Sequence, residues 1–240
     1  MPESLDAVDV VILAGGLGSR LAALPGDVPK PMRSVDGRPF LEHLFDQVRA
    51  AGATRAVLCL GHQSGHFETR FRRVPPEGLQ LRISTERTPL GTGGGLRNAL
   101  PLLSKASVLV MNGDSYADTD FRLLLARHRA ARARATILVT RVPDASRFGR
   151  VQFGPSGEVT GFAEKEAPGP GFISAGVYVL ERAAVEAIPP GRAVSLEREV
   201  FPSLVGAGLH AHAAFFPFVD IGTPESYREA DTFFRKRRAP

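Results

Sequence analysis

Val10-Val11-Ile12-Leu13-Ala14 is an unbroken apolar run that empties into Gly15-Gly16-Leu17-Gly18-Ser19-Arg20-Leu21. A run apolar at consecutive positions is buried on both faces, as a strand inside a covered parallel sheet is. The glycines behind it let the backbone turn sharply and bring N–H groups close to an anion. Pro29-Lys30-Pro31-Met32 follows. Arg20 can fork onto phosphate oxygens, and Lys30 can act as a compact charge. This order predicts a nucleotide phosphate at the carboxyl end of the strand. The spacing is not the dinucleotide fingerprint, which needs a third glycine, and no Gly-Lys-Ser/Thr of a P-loop follows.

The rest of the chain keeps the rhythm that this opening sets. Strands are predicted at 8–13, 55–60, 79–84, 107–111 and 135–142, with helices at 39–51, 64–73, 96–103 and 120–132. Phe40, Leu41, Leu44, Phe45 and Val48 give the first helix one apolar stripe, and Gly52 ends it. Residues 22–37 read as a loop. Strand and helix in alternation argue for an α/β fold with a mostly parallel sheet covered on both faces. After Pro143 the pattern turns more antiparallel: strands at 149–153, 158–163, 173–180 and 209–217, helices at 181–188 and 195–205, and a closing helix after Pro224. No repeat or linker divides the chain. The expectation is one domain over 1–240, with a nucleotide half to about 142 and a second half from 143.

Composition excludes several alternatives. The 240 residues are 43% hydrophobic and 23% charged, which is ordinary for a globular protein. No apolar run is long enough for a membrane span, and Met1-Pro2-Glu3-Ser4 lacks the order of a signal peptide, so a cytoplasmic location is expected. Cys59 is the single cysteine and reads as a core thiol. The net charge of +5 suits nucleic acid, an anionic surface or anionic small substrates. No aromatic stacking motif accompanies it, so nucleic acid is not an expected partner. Arginine supplies nearly all the positive charge; the four lysines are Lys30, Lys105, Lys165 and Lys236. Two of these, Lys30 and Lys165, fall inside motifs.

Asp114 closes the apolar run Ser107–Met111, and Asp220 closes the run Phe215–Val219. Taken singly each is a turn residue. Jointly, beside two glycine-rich loops, they suit one Mg²⁺, which prefers oxygen ligands and shares its shell with phosphates. The second glycine loop is Pro89-Leu90-Gly91-Thr92-Gly93-Gly94-Gly95. Glu86, just before it, can accept from guanine N1–H and N2–H₂, whereas uracil offers one such donor. A surface glutamate at a strand end is the plainer reading. Glu164-Lys165 ends a strand, and Lys165 can hold a second phosphate or pair with a neighbouring glutamate. Ser174-Ala175-Gly176 leaves room for a ligand or for close packing. Glu197 can reach sugar hydroxyls or belong to a cap led by Ser195. No nucleophile with its base is evident.

Seven ordered motifs resemble the sugar-1-phosphate nucleotidyltransferase family. They are Leu13 to Leu21, Pro29-Lys30-Pro31, Pro89 to Gly94, Asn112-Gly113-Asp114, Phe162-Ala163-Glu164-Lys165, Ser174 to Tyr178, and Asp220-Ile221-Gly222-Thr223-Pro224. Glu86 and Ser146-Arg147-Phe148-Gly149-Arg150-Val151 look most like D-glycero-α-D-manno-heptose 1-phosphate guanylyltransferases. Mannose-1-phosphate guanylyltransferases and N-acetylmuramate-1-phosphate uridylyltransferases have similar loops.

The resemblance implies a Rossmann-like, GT-A-type fold and a Mg²⁺-dependent transfer from NTP, GTP favoured, to a sugar 1-phosphate. It implies nucleotide contacts from Leu13, Ala14, Gly15, Gly16, Gly18, Ser19, Arg20, Lys30, Glu86, Gly91, Thr92, Asn112 and Gly113. It places Gly149, Glu164, Lys165, Ser174, Ala175 and Glu197 on the sugar phosphate, and Asp114 and Asp220 on the metal. Arg20, Lys30, Asp114, Lys165 and Asp220 are the catalytic set. Ser174 departs from the asparagine of many relatives. With the sequence ending at Pro240, the β-helical domain that some relatives carry is not expected, and the oligomeric state stays open, a dimer included. A reading from another class is a non-catalytic nucleotide-sugar sensor; the presence of both Asp114 and Asp220 argues against it.

Overall fold

The computed structural model describes residues 4–16, 28–61, 63–163 and 168–238. In chain order they form β1 (Asp9–Leu13), a hairpin of β2 (Ser34–Val35) and β3 (Arg38–Pro39), α1 (Phe40–Ala50), β4 (Arg55–Leu60), α2 (Ser64–Arg73) and β5 (Gln80–Thr85). Then come α3 (Gly91–Asn98), β6 (Ser107–Asn112), β7 (Ser115–Ala117), α4 (Phe121–Ala130), β8 (Ala135–Val142), β9 (Arg150–Phe153), β10 (Val159–Ala163) and β11 (Gly171–Glu181). The last elements are α5 (Arg182–Glu186), a π-turn at Leu196–Val200, α6 (Phe201–Ser203), β12 (Leu209–Ala213), β13 (Phe218–Asp220) and α7 (Pro224–Arg238).

The expected mixed sheet is present. β1 lies between β4 and β6, parallel to both, and β5 continues the parallel block at one edge. Beyond β6 the direction reverses: β11 runs antiparallel to β6 and to β8, and β12 pairs with β8. The β9–β10 hairpin joins β11 through the Ile173–Arg150 register. β11 serves different neighbours along its length because its register shifts between Ser174 and Tyr178. Gly176 there has φ +72, and a Cβ on it would stand 3.1 Å from Asn112 Cβ.

The unbroken apolar strands follow from a core on each face. Val10 and Ile12 of β1 pack with α1 and α7, while Val11 packs with Leu96, Val108 and Val110 on the other side. All five stripe residues of α1 are buried, and Gly52, at φ +97, stops that helix as expected. Each large side chain so buried contributes about 1.5–3 kcal/mol. Ala230 and Phe234 of α7 are buried, and Phe234 stacks on His43 with ring centroids 3.8 Å apart.

Four local expectations change. The stretch expected as loop to residue 37 holds a 3₁₀ turn and most of the β2–β3 hairpin, whose last residue, Pro39, is the one expected to open the helix; Tyr227 of α7 ties the hairpin down through Ser34 O. The helix expected at 96–103 begins at Gly91 and ends at Asn98. The helix expected at 195–205 opens as a π-turn, since Pro202 has no N–H to give to Arg198. The strand expected at 209–217 stops at Ala213, and 218–220 pairs elsewhere, with β7.

Two buried histidines link fold to pH. His43 Nδ1 faces Arg38 Nη2 at 2.9 Å, so it accepts, and Nε2–H donates to Val35 O at 3.0 Å. His128 lies between Thr136 Oγ1 at 2.8 Å and Glu181 Oε1 at 3.0 Å. Burial lowers both below the ordinary 6.5, Arg38 adding to it at His43; Asp36, Asp46 and Val35 O oppose at His43, and Glu181 at His128. The unfolded chain therefore takes up protons first. Stability is full above that value and is lost as pH falls below it. Urea unfolding at about pH 7.5 and about pH 5.5 should show a loss of up to ~1.4 kcal/mol per pH unit for each histidine. Equal stability at both would contradict the neutral, buried imidazoles.

Candidate active site

The carboxyl ends of β1, β4 and β6 open onto a cleft of about 420 Å³. Leu13, Ala14, Gly15 and Gly16 form its floor. The backbone is drawn tight there: Ala14 N–H donates to Cys59 O and Gly113 N–H donates to Leu13 O, each at 2.8 Å. A Cβ on Gly113 would lie 2.8 Å from Leu13 O, and one on Gly61 would lie 2.7 Å from Gly15 O. These glycines are thus required by strand-to-strand approach as well as by any ligand.

Lys30 and Asp114 meet on one wall. Lys30 Nζ is 2.5 Å from Asp114 Oδ2, with the lysine side chain 11% exposed and the aspartate 36%. Asp220 arrives from the far end of the chain through the β7–β13 ladder, which pairs it with Ser115. Ile221 N–H donates to Asp114 O at 2.9 Å, closing the junction. Asp220 Oδ1 accepts from Gly222 N–H at 2.6 Å and from Ser226 Oγ at 2.8 Å, and Arg147 Nη2 stands 3.3 Å away. Two carboxylates with hard oxygens, on adjoining backbone, suit a cation that retains water and shares substrate phosphates. No group of three or more His, Cys, Asp or Glu side chains gathers for a metal among the described residues.

The opposite wall carries Glu86, Gly91, Thr92 and Gly95. Glu86 Oε2 accepts from Leu90 N–H at 3.2 Å. Burial raises the Glu86 carboxyl above its ordinary value, and that N–H opposes the rise. Cys59 lies beside it, its thiol pushed up to about 12 by burial, with the Glu86 charge adding. It is the inert core thiol that its setting in β4 suggested.

The second glycine loop has a use the sequence reading did not see. It is the first turn of α3, and the N–H groups of Gly93 and Gly94 donate to Val194 O at 2.8 and 3.2 Å. A Cβ on Gly94 would stand 2.6 Å from Arg192 O. These glycines admit the segment 192–196 rather than freeing their amides for a phosphate. Thr92 Oγ1 joins the same contact, donating to Glu197 Oε2 at 2.8 Å and accepting from Leu196 N–H at 2.8 Å. Glu197 Oε1 accepts from the buried Tyr178 hydroxyl at 3.2 Å, whose pKa burial raises. Ser195 Oγ caps the π-turn through Arg198 N–H, as anticipated.

The cleft thus gathers Leu13, Ala14, Gly15, Gly16, Lys30, Glu86, Gly91, Thr92, Asn112 and Asp114. Gly113 and Asp220 adjoin it through the backbone contacts above. Gly149 is exposed on the β8–β9 connection. Ser174 Oγ bonds Gly176 N–H and the Tyr178 hydroxyl within β11. Ala175 is fully buried, with its methyl in the core. Gly18, Ser19, Arg20, Glu164 and Lys165 lie outside the described residues. Sequence reasoning gave no role to Arg147 or Gly222, although both stand inside quoted motifs.

The fold and cleft define an α/β protein built to receive a ligand at the carboxyl ends of its parallel strands. The chain belongs to the nucleotidyl transferase family, whose model matches residues 9–237. It is 41% identical over 224 residues to a mannose-1-phosphate guanylyltransferase of Mycobacterium tuberculosis, covering 92% of this chain and 62% of that protein. It is 30% identical to the D-glycero-alpha-D-manno-heptose 1-phosphate guanylyltransferase of Aneurinibacillus thermoaerophilus, covering 93% and 96%. The chain therefore spans less than two thirds of the mycobacterial relative and nearly all of the other. The structure of HddC from Yersinia pseudotuberculosis complexed with GMP-PN superposes with a TM-score of 0.86 at 32% identity, covering 95% of this chain and 99% of that one. No described helix is long and apolar enough to cross a membrane.

Proposed function

We propose that this protein transfers a guanylyl group from GTP to a sugar 1-phosphate, D-glycero-α-D-manno-heptose 1-phosphate favoured, in the cytoplasm. The observation that carries the reading is the junction of Asp114, Lys30 and Asp220 at the mouth of a cleft whose far wall holds Glu86. The guanylyltransferase relatives support the choice of base. The nucleotide lies over Leu13 to Gly16, with its base toward Glu86. A phosphate oxygen of the sugar 1-phosphate attacks the α-phosphorus, and the bond to the β-phosphate oxygen breaks in line, so pyrophosphate leaves with the electron pair. Mg²⁺, held by Asp114 and Asp220, would supply charge neutralisation at the phosphates when bound. Lys30 holds the α-phosphate, and Arg20 the β- and γ-phosphates. Lys165 binds the sugar phosphate, with Gly149, Glu164, Ser174, Glu197 and the Ala175 backbone on the sugar side. Residues to about 142 serve the nucleotide and those from 143 the sugar phosphate. Positioning and charge stabilisation do the chemistry.

The 41% identity to a mannose-1-phosphate guanylyltransferase favours mannose 1-phosphate as a second reading. Pyrophosphate release, measured for GTP, UTP, CTP, ATP and dTTP against heptose, mannose, glucose and N-acetylmuramate 1-phosphates, tests both. Turnover with UTP and N-acetylmuramate 1-phosphate would overturn base and sugar together. Stable nucleotide-sugar binding with no turnover in any combination would favour the sensor.

Glu86→Gln tests the base assignment. Glutamine keeps one acceptor for Leu90 N–H and loses the second acceptor for guanine. The KM for GTP should rise about 10–100-fold, the worth of a hydrogen bond to a charged group, while that for UTP changes little. Equal changes for both nucleotides would remove Glu86 from base recognition.

A further inference from the structure

Arg147 is the cation whose geometry the reading above leaves unused. It sits on the turn between β8 and β9, which is a built structure. Ala145 is buried, Phe148 N–H donates to Ala145 O at 2.9 Å, and Asp144 accepts from Ser146 N–H at 3.0 Å. Phe148 packs edge-on against Phe218 of β13, with ring centroids 6.2 Å apart. The turn therefore presents Arg147 at the cleft. Gly222 lines the cleft, and a Cβ on it would lie 3.8 Å from Arg147 Nη2.

Arg147 is loosely held there. One nitrogen, Nη2, straddles the two oxygens of Asp220 at 3.3 and 3.5 Å, the outer limit of a hydrogen bond. The better acceptor directions of Oδ1 already serve Gly222 N–H and Ser226 Oγ at 2.6 and 2.8 Å. The arginine side chain is 45% exposed against 12% for Asp220, and its guanidinium carbon lies 5.3 Å from the Phe148 ring centroid, an exposed contact of modest worth. Nε and Nη1 make no hydrogen bond to any described residue. A planar fork with Nε and Nη1 unbonded among the described residues, beside the cleft, suits a phosphate better than this carboxylate. Lys30 differs: its side chain is only 11% exposed and in short contact with Asp114.

We propose that Arg147 is a substrate-phosphate ligand held in reserve: it neutralises Asp220 in the ligand-free protein and turns onto a substrate phosphate when Asp220 engages a divalent cation. The inference rests on the guanylyl-transfer reading. Either the sugar 1-phosphate or the pyrophosphate portion of GTP offers that phosphate.

The test uses the full chain as wild type, Arg147→Gln and Arg147→Lys. Mn²⁺ is titrated by electron paramagnetic resonance into nucleotide-free protein. Arg147→Gln should bind it several-fold more tightly, because Asp220 has lost its competitor, and Arg147→Lys should stay near wild type. Calorimetry with Mn²⁺ present then compares inorganic pyrophosphate with mannose and heptose 1-phosphates, the latter two beside a non-hydrolysable GTP analogue. The glutamine variant should lose about tenfold or more for one of the two classes. A loss confined to the sugar phosphates assigns Arg147 to the acceptor, and one confined to pyrophosphate assigns it to GTP. Unchanged Mn²⁺ affinity, or unchanged affinity for both classes, overturns the proposal. Failure of the wild type to bind the GTP analogue would instead refute the guanylyl reading, while the nucleotide-free Mn²⁺ comparison stands by itself.

Discussion

Asp114→Ala should lower kcat for pyrophosphate release by about 10²–10³-fold or more, with the fold retained. The side chain is at the cleft mouth, 36% exposed, and contributes no core packing. Its removal takes away one of the two carboxylates proposed for the cation. It also leaves Lys30, only 11% exposed, without its partner. The stability cost is therefore that of one unpaired but flexible ammonium, about 1–3 kcal/mol. Asp114→Asn separates the two effects, since the amide oxygen still accepts from Lys30 while the charge is gone. Both variants should lose activity to a similar extent, and the asparagine form should unfold nearer the wild-type temperature. Activity within tenfold of wild type in either variant would remove Asp114 from the cation site.

The second large effect concerns stability. Gly91→Ala should destabilise the protein by about 2–5 kcal/mol, the sum of a left-handed backbone penalty and forced repacking. Gly91 has φ +69, and its Cβ would stand 2.6 Å from Val194 O, which is backbone and cannot rotate away. Gly37→Ala is the control: φ is +79 there, but nothing lies within 4 Å of the added carbon. Only the backbone penalty, about 1–2 kcal/mol, applies to it. Urea unfolding of the pair isolates the contact with Val194. If Gly91→Ala costs no more than Gly37→Ala, the close packing of α3 on segment 192–196 is not a source of stability. Nucleotide affinity should fall in the first variant alone, because Thr92 and its bond to Glu197 move with Gly91.

Most of the sheet was legible because burial on two faces leaves a simple trace. Val10 to Leu13, Val57 to Leu60 and Val108 to Met111 are apolar without a break, and only a doubly covered strand needs that. The stripe of α1 was legible for the same reason. What escaped depends on partners distant in sequence. β7 and β13 are three residues each, too short for a periodic pattern, and exist because Asp220 meets Ser115 across the chain. The glycines of α3 read as a phosphate loop because nothing local announces Val194. Lys30, Glu86 and Asp114 could be nominated from residue type and position. That Lys30 pairs with Asp114, and Glu197 with Thr92 and Tyr178, is tertiary information.

The order in which strands enter the sheet sets a problem for the growing polypeptide. β5, β4, β1 and β6 are complete once Asn112 has left the ribosome, and all three pairings among neighbours there are local to that stretch. The outer edge of β6, however, is sealed by residues 177–181 of β11, more than sixty positions later. At about 5–20 residues per second that interval lasts roughly 3–13 s. Throughout it, Val108 to Met111 offer an unpaired, wholly apolar strand edge, the kind of surface that recruits other chains. Newly made protein is thus most exposed to aggregation midway through synthesis, and chaperone capture in that window protects the centre of the future cleft.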